Sequence, residues 1–108
     1  MPDRLNNSFV LKLYITGQTP RSQRVIARVH QLTRERLNGL CEPIVIDVLE
    51  QPQLAEQDRV LATPTLIRQF PLPVRRIVGD LSDMNQVIDA LGLDVYPAAE
   101  NGRPIPLA

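Results

Sequence analysis

The sequence has few of the residues with which small proteins perform chemistry. Its 108 residues include one cysteine, Cys41, one histidine, His30, and no tryptophan. One cysteine excludes both a disulfide within the chain and a CxxC redox pair, and one histidine argues against a metal site built from protein ligands alone. Gly-rich phosphate loops, HExxH and the spacing of a Ser/His/Asp set are also absent. We therefore expect no cofactor, no metal and no enzymatic activity.

The charge balance and the hydropathy exclude two classes of partner. Twelve basic residues balance twelve acidic ones, so no net charge draws the chain to nucleic acid or to a membrane surface. No run reaches the roughly 18 apolar residues of a membrane span. The first residues, MPDRLNNS, do not contain the apolar segment of a secretion signal. We expect a cytoplasmic protein that binds neither nucleic acid nor membranes.

The spacing of apolar residues predicts one α/β domain over residues 1–96 and a flexible tail over 97–108, which has three prolines. Alternating or continuous apolar residues indicate strands, and a period near 3.6 indicates helices. The predicted elements are, in order, a strand in 7–16, a helix from Pro20 to about Asn38, a strand in 43–49, a short helix from Pro52, a strand after Pro64, a strand from Val74 to Val78 and a helix from Ser82 to about Leu93. This βαβαββα order is the thioredoxin arrangement, although the apolar runs in 61–70 and 81–95 fit either a strand or a helix.

The loop after the first strand bears on the redox function of such a fold. A thiol enzyme would carry its dithiol there, but residues 16–20 read TGQTP, without cysteine or serine. Thiol–disulfide exchange at this loop is therefore excluded. Cys41 is interpreted as a small buried hydrophobe, with a reactive thiol as the alternative.

Two charged features leave alternatives open. Asp47 lies in an apolar strand, where an isolated charge is costly. It is interpreted either as a proton carrier, as a partner of Lys12 on the neighbouring strand, or as a residue that reaches water at a sheet edge. The helix residues Arg21, Arg24 and Arg28 form a basic stripe. Such a stripe is either solvated or bound to an acidic partner.

The motif Thr63-Pro64-Thr65 is the most informative local feature. In thioredoxin folds the X–Pro bond at this point is usually cis, and isolated X–Pro bonds are cis only about 10–30% of the time. We expect a segment with two conformations around Pro64, next to the runs whose secondary structure is ambiguous.

Four stretches of the sequence carry a resemblance to a known family. They are FVLKLYITGQTPRS, IVIDVL, QPQLAEQDRVLATPTL and PVRRIVGDLSD, which cover most of residues 9–83. The chain resembles the KaiB family of circadian clock proteins, which implies a non-enzymatic binder of the hexameric ATPase KaiC. The resemblance implies two folds: a ground-state fold, βαββααβ, for the free chain in dimers or tetramers, and a thioredoxin-like βαβαββα monomer as the partner-bound fold. That monomer would bind KaiC, capture KaiA and displace the histidine kinase SasA.

The resemblance also assigns roles to residues of this chain. It implies partner contacts at Arg24 and Arg59, and at Glu42 and Ile44 in the run Cys41-Glu42-Pro43-Ile44, where the family usually has a Tyr-Ala-Leu-Lys-like run. It implies that the fold switch involves Thr63, Pro64, Thr65, Ala90 and Gly92. The altered run indicates a divergent KaiB. The alternative function is therefore an adaptor in stress or signalling, or a partner of a non-standard KaiC homologue outside the core oscillator.

Overall fold

The computed structural model describes residues 9–37 and 41–93, which form one mixed sheet with three helices. The elements are β1 (Val10–Ile15), α1 (Pro20–Arg36), β2 (Ile44–Asp47), α2 (Pro52–Gln57), β3 (Thr65–Phe70), β4 (Arg75–Val78) and α3 (Met84–Leu91). This order confirms the thioredoxin-like βαβαββα arrangement that the residue pattern predicted. The predicted tail over 97–108 lies outside the described residues.

The sheet has the strand order β2-β1-β3-β4, with β1 parallel to β2 and antiparallel to β3. β4 pairs antiparallel with β3. The strands β2 and β4 are thus the two edges of the sheet. Because successive side chains of a strand point to opposite faces, each central strand contributes to two cores.

The two faces of the sheet are covered unequally. One face, the α1/α3 face, packs against the two longer helices and holds the larger core. Its most deeply buried members include Leu11, Leu13, Ile15, Val25, Val29, Leu66, Val87 and Leu91. Among the described residues, the opposite face, the α2 face, packs against the short helix α2, with a core of Tyr14, Ile46, Ala55 and Ile67.

Polar side chains cap the starts of the two longer helices, and a glycine caps the end of α3. The hydroxyl of Thr19 accepts a hydrogen bond from the backbone N–H of Ser22 at the start of α1. Asp83 accepts one from the N–H of Gln86 at the start of α3. Gly92 caps the end of α3, and its φ of 66° lies in the left-handed region that glycine adopts without strain.

The C-terminal half differs from the ground-state fold that the resemblance implied for the free chain. That fold would place a helix after Pro71 and a last strand near residues 91–96. Here residues 75–78 form β4, which pairs with β3, and the N–H of Gly79 donates to the carbonyl of Pro64 beyond the strand. The capped helix α3 ends at Leu91. The pairing of β4 with β3 and the cap of α3 are both features of the thioredoxin-like order, which is the order of this structure.

Candidate functional site

The loop that carries the dithiol in redox proteins of this shape is lined by hydroxyl groups here. It borders a pocket of about 290 Å³ lined by Ile15, Thr16, Thr19, Arg21, Ser22, Val25, Thr63 and Pro64. The hydroxyls of Thr16 and Thr63 share a hydrogen bond of 2.5 Å. The Thr63–Pro64 bond is cis. With no thiol in its lining, this pocket has no group that could exchange disulfides.

Cys41 is placed in the core of the α1/α3 face, away from this pocket lining. Its side chain is buried, and burial raises the pKa of the Cys41 thiol. A buried thiol with a raised pKa provides little thiolate at neutral pH, so the interpretation of Cys41 as a small hydrophobe fits its position.

Asp47 organises the backbone around the end of β2. Its Oδ1 accepts hydrogen bonds from the N–H groups of Gly17, at 3.0 Å, and Leu49, at 2.9 Å. These bonds lower the pKa of the Asp47 carboxyl, so it stays ionised and does not act as a proton carrier near neutral pH. The suggested pair with Lys12 is wrong. Asp47 lies opposite Ile15 on the α1/α3 face, whereas Lys12 points to the α2 face with Tyr14.

The partner of Lys12 is Asp58, the centre of a polar network on the α2 face. Asp58 Oδ2 lies 3.2 Å from Lys12 Nζ and accepts a hydrogen bond of 2.6 Å from the hydroxyl of Tyr14. The Nη2 of Arg76 donates to the Asp58 carbonyl at 2.6 Å. We call these four residues the Asp58 network; it joins β1, the end of α2 and β4.

The Asp58 network changes the pKa of its two acidic groups in opposite directions. Burial alone would raise the pKa of Asp58, but the hydrogen bonds from Tyr14 and Lys12 and the charges of Lys12 and Arg76 lower it overall. Burial, and next the bond to Asp58, raises the pKa of Tyr14. The network therefore holds an ionised Asp58 against a neutral Tyr14 hydroxyl.

This network places Arg59, one of the contact residues implied by the resemblance. Arg59 has a left-handed backbone, with φ at 56°, and its carbonyl accepts a hydrogen bond of 3.3 Å from Arg76 Nη1. Its side chain is exposed. Arg76 thus contacts the backbone of Arg59.

Ile44 lies on the same face of the sheet as the Asp58 network. It pairs with Lys12 in the register of β1 and β2, and 47% of its surface is exposed at the sheet edge. Glu42 precedes β2 and is also exposed. We define the α2-face surface as Lys12, Ile44, Asp58, Arg59 and Arg76. It combines an apolar edge with a set of cations around one acid.

Arg24 is not part of this surface. It is exposed on α1, on the other side of the sheet. Its neighbour in the basic stripe, Arg28, donates to the carbonyl of Asp80 at 2.9 Å. The structure thus brings Ile44 and Arg59 to one face and leaves Arg24 on the opposite side.

The residues implied in the fold switch fall into two groups. Thr63, Pro64 and Thr65 lead into β3, where the hydroxyl of Thr65 donates to the carbonyl of Ala62 at 2.6 Å. Ala90 and Gly92 lie at the end of α3. A buried arginine that the residue pattern did not single out, Arg68 of β3, donates a hydrogen bond to the carbonyl of Leu91, which lies between Ala90 and Gly92. Its signal was a charged residue within the strand-like run TLIRQF.

Within residues 9–37 and 41–93, no group of His, Cys, Asp and Glu side chains could hold a metal ion. A search of the same residues for a helix with the length and hydropathy of a membrane span finds none.

Comparison with known sequences identifies KaiB proteins as relatives. The profile of the KaiB domain matches residues 12–93. The chain is 48% identical over 91 residues to the circadian clock protein KaiB3 of Synechocystis sp., which covers 84% of this chain and 87% of that protein. It is 49% identical over 88 residues to the circadian clock oscillator protein KaiB of Synechococcus elongatus, covering 82% of this chain and 84% of that one.

Solved structures with the same fold include the N-terminal domain of SasA and thioredoxins. The solution structure of the N-terminal domain of Synechococcus elongatus SasA matches with a TM-score of 0.66 at 25% identity, over 94% of this chain and 90% of that one. Mitochondrial thioredoxin 3 of Saccharomyces cerevisiae matches with a TM-score of 0.62 at 16% identity, over 82% and 85% of the two chains. The thioredoxin match shows the fold alone, since the hydroxyl-lined loop departs from thiol chemistry.

Proposed function

Because the chain belongs to the KaiB family of circadian clock proteins, which are non-enzymatic regulators, we propose that it acts in the cytoplasm by binding the KaiC ATPase ring, recruiting KaiA and competing with SasA. The observation that carries this proposal is the KaiB match over residues 12–93, which includes the whole α2-face surface. The hydroxyl-lined loop supports a binding function, since it has no thiol to serve a redox one.

The α2-face surface is suited to a protein contact. Ile44 is half exposed at a sheet edge, and exposed Leu49 and Leu61, 68% and 96% exposed, follow β2 and α2 in the chain. A contiguous patch of exposed apolar side chains marks an interaction site, whereas single ones are common on any protein surface. The arginines Arg59 and Arg76 add directed hydrogen bonds to acidic or carbonyl groups of a partner. We propose that Ile44, Arg59 and the neighbouring Glu42 contact a clock partner.

Arg24 contributes to a second contact under this proposal. A protein that binds KaiC and recruits KaiA at once needs two surfaces that do not overlap. The sheet separates Arg24 on α1 from Ile44 and Arg59 on the α2 face, as such a bridge requires. Each set therefore serves a different partner.

The likeness to SasA supports the proposed competition. The N-terminal domain of SasA has the same fold over nearly its whole length. Two domains of similar shape that dock on one site of a shared partner exclude each other. Added chain should therefore displace SasA from KaiC at concentrations that saturate the ring.

Native mass spectrometry tests this function directly. The full chain is measured alone, to give its monomer, dimer or tetramer distribution, and then with KaiC and ATP. Rings that carry one copy per KaiC subunit are expected, and addition of KaiA should give a ternary complex. Absence of any complex with every KaiC homologue of the source organism would refute KaiC binding.

Three variants separate the two surfaces. Ile44→Thr keeps a β-branched strand residue but removes apolar surface, and Arg59→Asn removes the guanidinium while tolerating the left-handed backbone. Arg24→Gln changes the other side, and Arg34→Gln, also exposed on α1, is the matched control. If the two surfaces are separate, the variants of one surface should keep KaiC binding while their affinity for KaiA weakens about tenfold. A tenfold change is expected for the loss of one contact worth about 1.4 kcal/mol. Loss of KaiC binding in all three variants would contradict two separate surfaces.

A second candidate is binding to a non-standard KaiC homologue, or an adaptor role in stress or signalling. It is favoured by the run from Cys41 to Ile44 and by the likeness to a relative whose name numbers it apart as KaiB3. A pull-down with the full chain discriminates: recovery of one KaiC homologue and not another identifies the partner. Recovery of other proteins and no KaiC supports the adaptor.

A further inference from the structure

Two pockets adjoin at the end of the sheet where β1 stops and β3 begins. The first is the hydroxyl-lined pocket of about 290 Å³ beside the loop after β1. The second, of about 240 Å³, has a largely apolar lining that includes Val48, Ala55, Val60 and Leu61. Thr16 and Thr63 line both pockets, so the two meet at this pair of residues. We call the two pockets together the end groove.

The two halves of the end groove lie on opposite sides of the sheet. Ile15 and Val25 of the first pocket belong to the core of the α1/α3 face, whereas Ala55 of the second belongs to the core of the α2 face. The hydroxyls of Thr16 and Thr63, which share a hydrogen bond, form the crossing point between the halves. A ligand that fills both halves must therefore be elongated.

The backbone of Thr63 is unpaired at this crossing point. Its neighbours form bonds within the protein: the hydroxyl of Thr65 donates to the carbonyl of Ala62, and the N–H of Gly79 donates to the carbonyl of Pro64. Within the described residues, neither the N–H nor the carbonyl of Thr63 has a hydrogen-bond partner in the protein. Because backbone groups are usually paired, a residue with both groups open is suited to pair with an extended chain.

One cation lines the first half of the end groove. Among the described residues that line the two pockets, Arg21 alone is charged. Asp80 lies near enough for Arg21 to lower its pKa, after the hydrogen bonds from Ser82 and the charge of Arg28, but Arg21 and Asp80 form no salt bridge. The planar guanidinium of Arg21 therefore keeps its donors for a carboxylate from outside the chain.

We propose that the end groove binds an extended segment of a second polypeptide. An acidic side chain of that segment lies at Arg21, its backbone pairs with Thr63, and a large apolar side chain fills the second pocket. Leu61, which is 96% exposed, borders the second pocket and adds apolar contact there. The end groove contains neither Arg24 nor any residue of the α2-face surface, so the proposal stands or falls independently of KaiC binding.

Short capped peptides test the end groove on the full chain without other partners. Each peptide carries a fluorescent label, one Asp and one Leu, in either order and separated by a serine spacer of varied length. Peptides with Lys in place of Asp are the charge control. In fluorescence anisotropy, an Asp peptide should bind about tenfold more tightly than its Lys counterpart, which corresponds to about 1.4 kcal/mol. If no Asp peptide binds more tightly than its Lys counterpart, the proposal is wrong.

Two pairs of variants locate the bound peptide. Arg21→Gln should weaken binding of the Asp peptide about tenfold, as expected for loss of a charge-assisted hydrogen bond, and Arg34→Gln, also exposed on α1, is the matched control. Leu61→Ser should weaken binding several-fold, whereas Leu72→Ser, 71% exposed and outside both pockets, should not. Both tested positions are exposed, so the fold should tolerate the changes. Unchanged affinity in Arg21→Gln or Leu61→Ser, or equal losses in the controls, would contradict the site.

The backbone pairing at Thr63 has its own readout. Successive N–H groups of an extended peptide point to opposite sides, so N-methylation between Asp and Leu should weaken binding at alternate positions only. The amide of Thr63 should exchange with solvent more slowly once the peptide is bound. A uniform N-methylation profile would overturn the proposal. So would slower exchange at Thr63 when the concentration of the chain alone is raised, because that result would assign the groove to a second copy.

Discussion

Replacing Tyr14 by phenylalanine isolates one hydrogen bond of the Asp58 network. The ring of Tyr14 is fully buried, so the change removes the hydroxyl and keeps the packing. That hydroxyl lies 2.6 Å from Asp58 Oδ2 and 3.0 Å from the carbonyl of Leu54. A hydrogen bond to a charged group contributes about 1.5–3 kcal/mol. Because the Asp58 side chain is 19% exposed, water replaces part of the bond, and we expect the lower end, about 1.5 kcal/mol.

The pKa values of Asp58 and Tyr14 determine how the stability lost in Tyr14→Phe varies with pH. The pKa of Asp58 is lowered in the folded state, so its contribution is present above the unfolded value of about 3.9 and is lost as the pH falls through the folded pKa. The pKa of Tyr14 is raised, so its contribution is present below about 10 and is lost at higher pH. The stability difference between wild type and Tyr14→Phe should therefore be largest near neutral pH and smaller at both extremes.

Urea unfolding of four proteins measures this effect: wild type, Tyr14→Phe, Asp58→Asn and the double variant. The double variant serves as the control, because Tyr14→Phe removes the donor of the bond and Asp58→Asn removes its charged acceptor, so either single change already abolishes it. We expect a coupling free energy of about 1 kcal/mol, well above the roughly 0.3–0.5 kcal/mol scatter of independent sites. Additive effects at pH 7, or a coupling that is the same at pH 3, would refute the role given to the network.

Two other substitutions and one labelling experiment test the local geometry. Thr19→Ala removes the hydroxyl that caps α1 at Ser22 and should lower the unfolding free energy by about 1 kcal/mol in urea; no change would show that the cap is dispensable. Asp47→Asn should lower the melting temperature at pH 7, and the difference should narrow below pH ~4, because the pKa of Asp47 is lowered by its backbone bonds; a constant difference would contradict this. Cys41 should react slowly with iodoacetamide until urea unfolds the chain, since its thiol is buried with a raised pKa; rapid labelling of the folded chain would disprove this.

The fold was predictable where a residue acts through its own backbone neighbours. Thr19, Pro20 and Asp83 specify helix starts through local bonds, and the alternating residues of β1 specify a strand. The ambiguous runs after residue 60 were harder because both strand and helix fit their apolar pattern. Long-range pairing with β1 and β3 decides them in this structure.

The candidate site was predictable only in part, for the same reason. Ile44 and Arg59 are 15 positions apart in the sequence, and only the register of Lys12 with Ile44 and the bond from Lys12 to Asp58 bring them to one face. The error in pairing Lys12 with Asp47 arose from ignoring the two-residue period, which places these side chains on opposite faces. Arg68 was missed because its acceptors are backbone carbonyls, which leave no trace in residue identity.

The short helix α2 is what leaves a surface for partners on one side of the sheet. It begins at Pro52, and the left-handed Arg59 follows two residues after its end, so it spans only Pro52–Gln57. A helix of this length packs over Tyr14 and Ile46 but leaves Ile44 half exposed. A longer helix would bury more apolar area and stabilise the fold, at about 25 cal/mol per Å². The Asp58 network adds polar contacts between β1, the end of α2 and β4 on this face, and one of them reaches the carbonyl of Arg59.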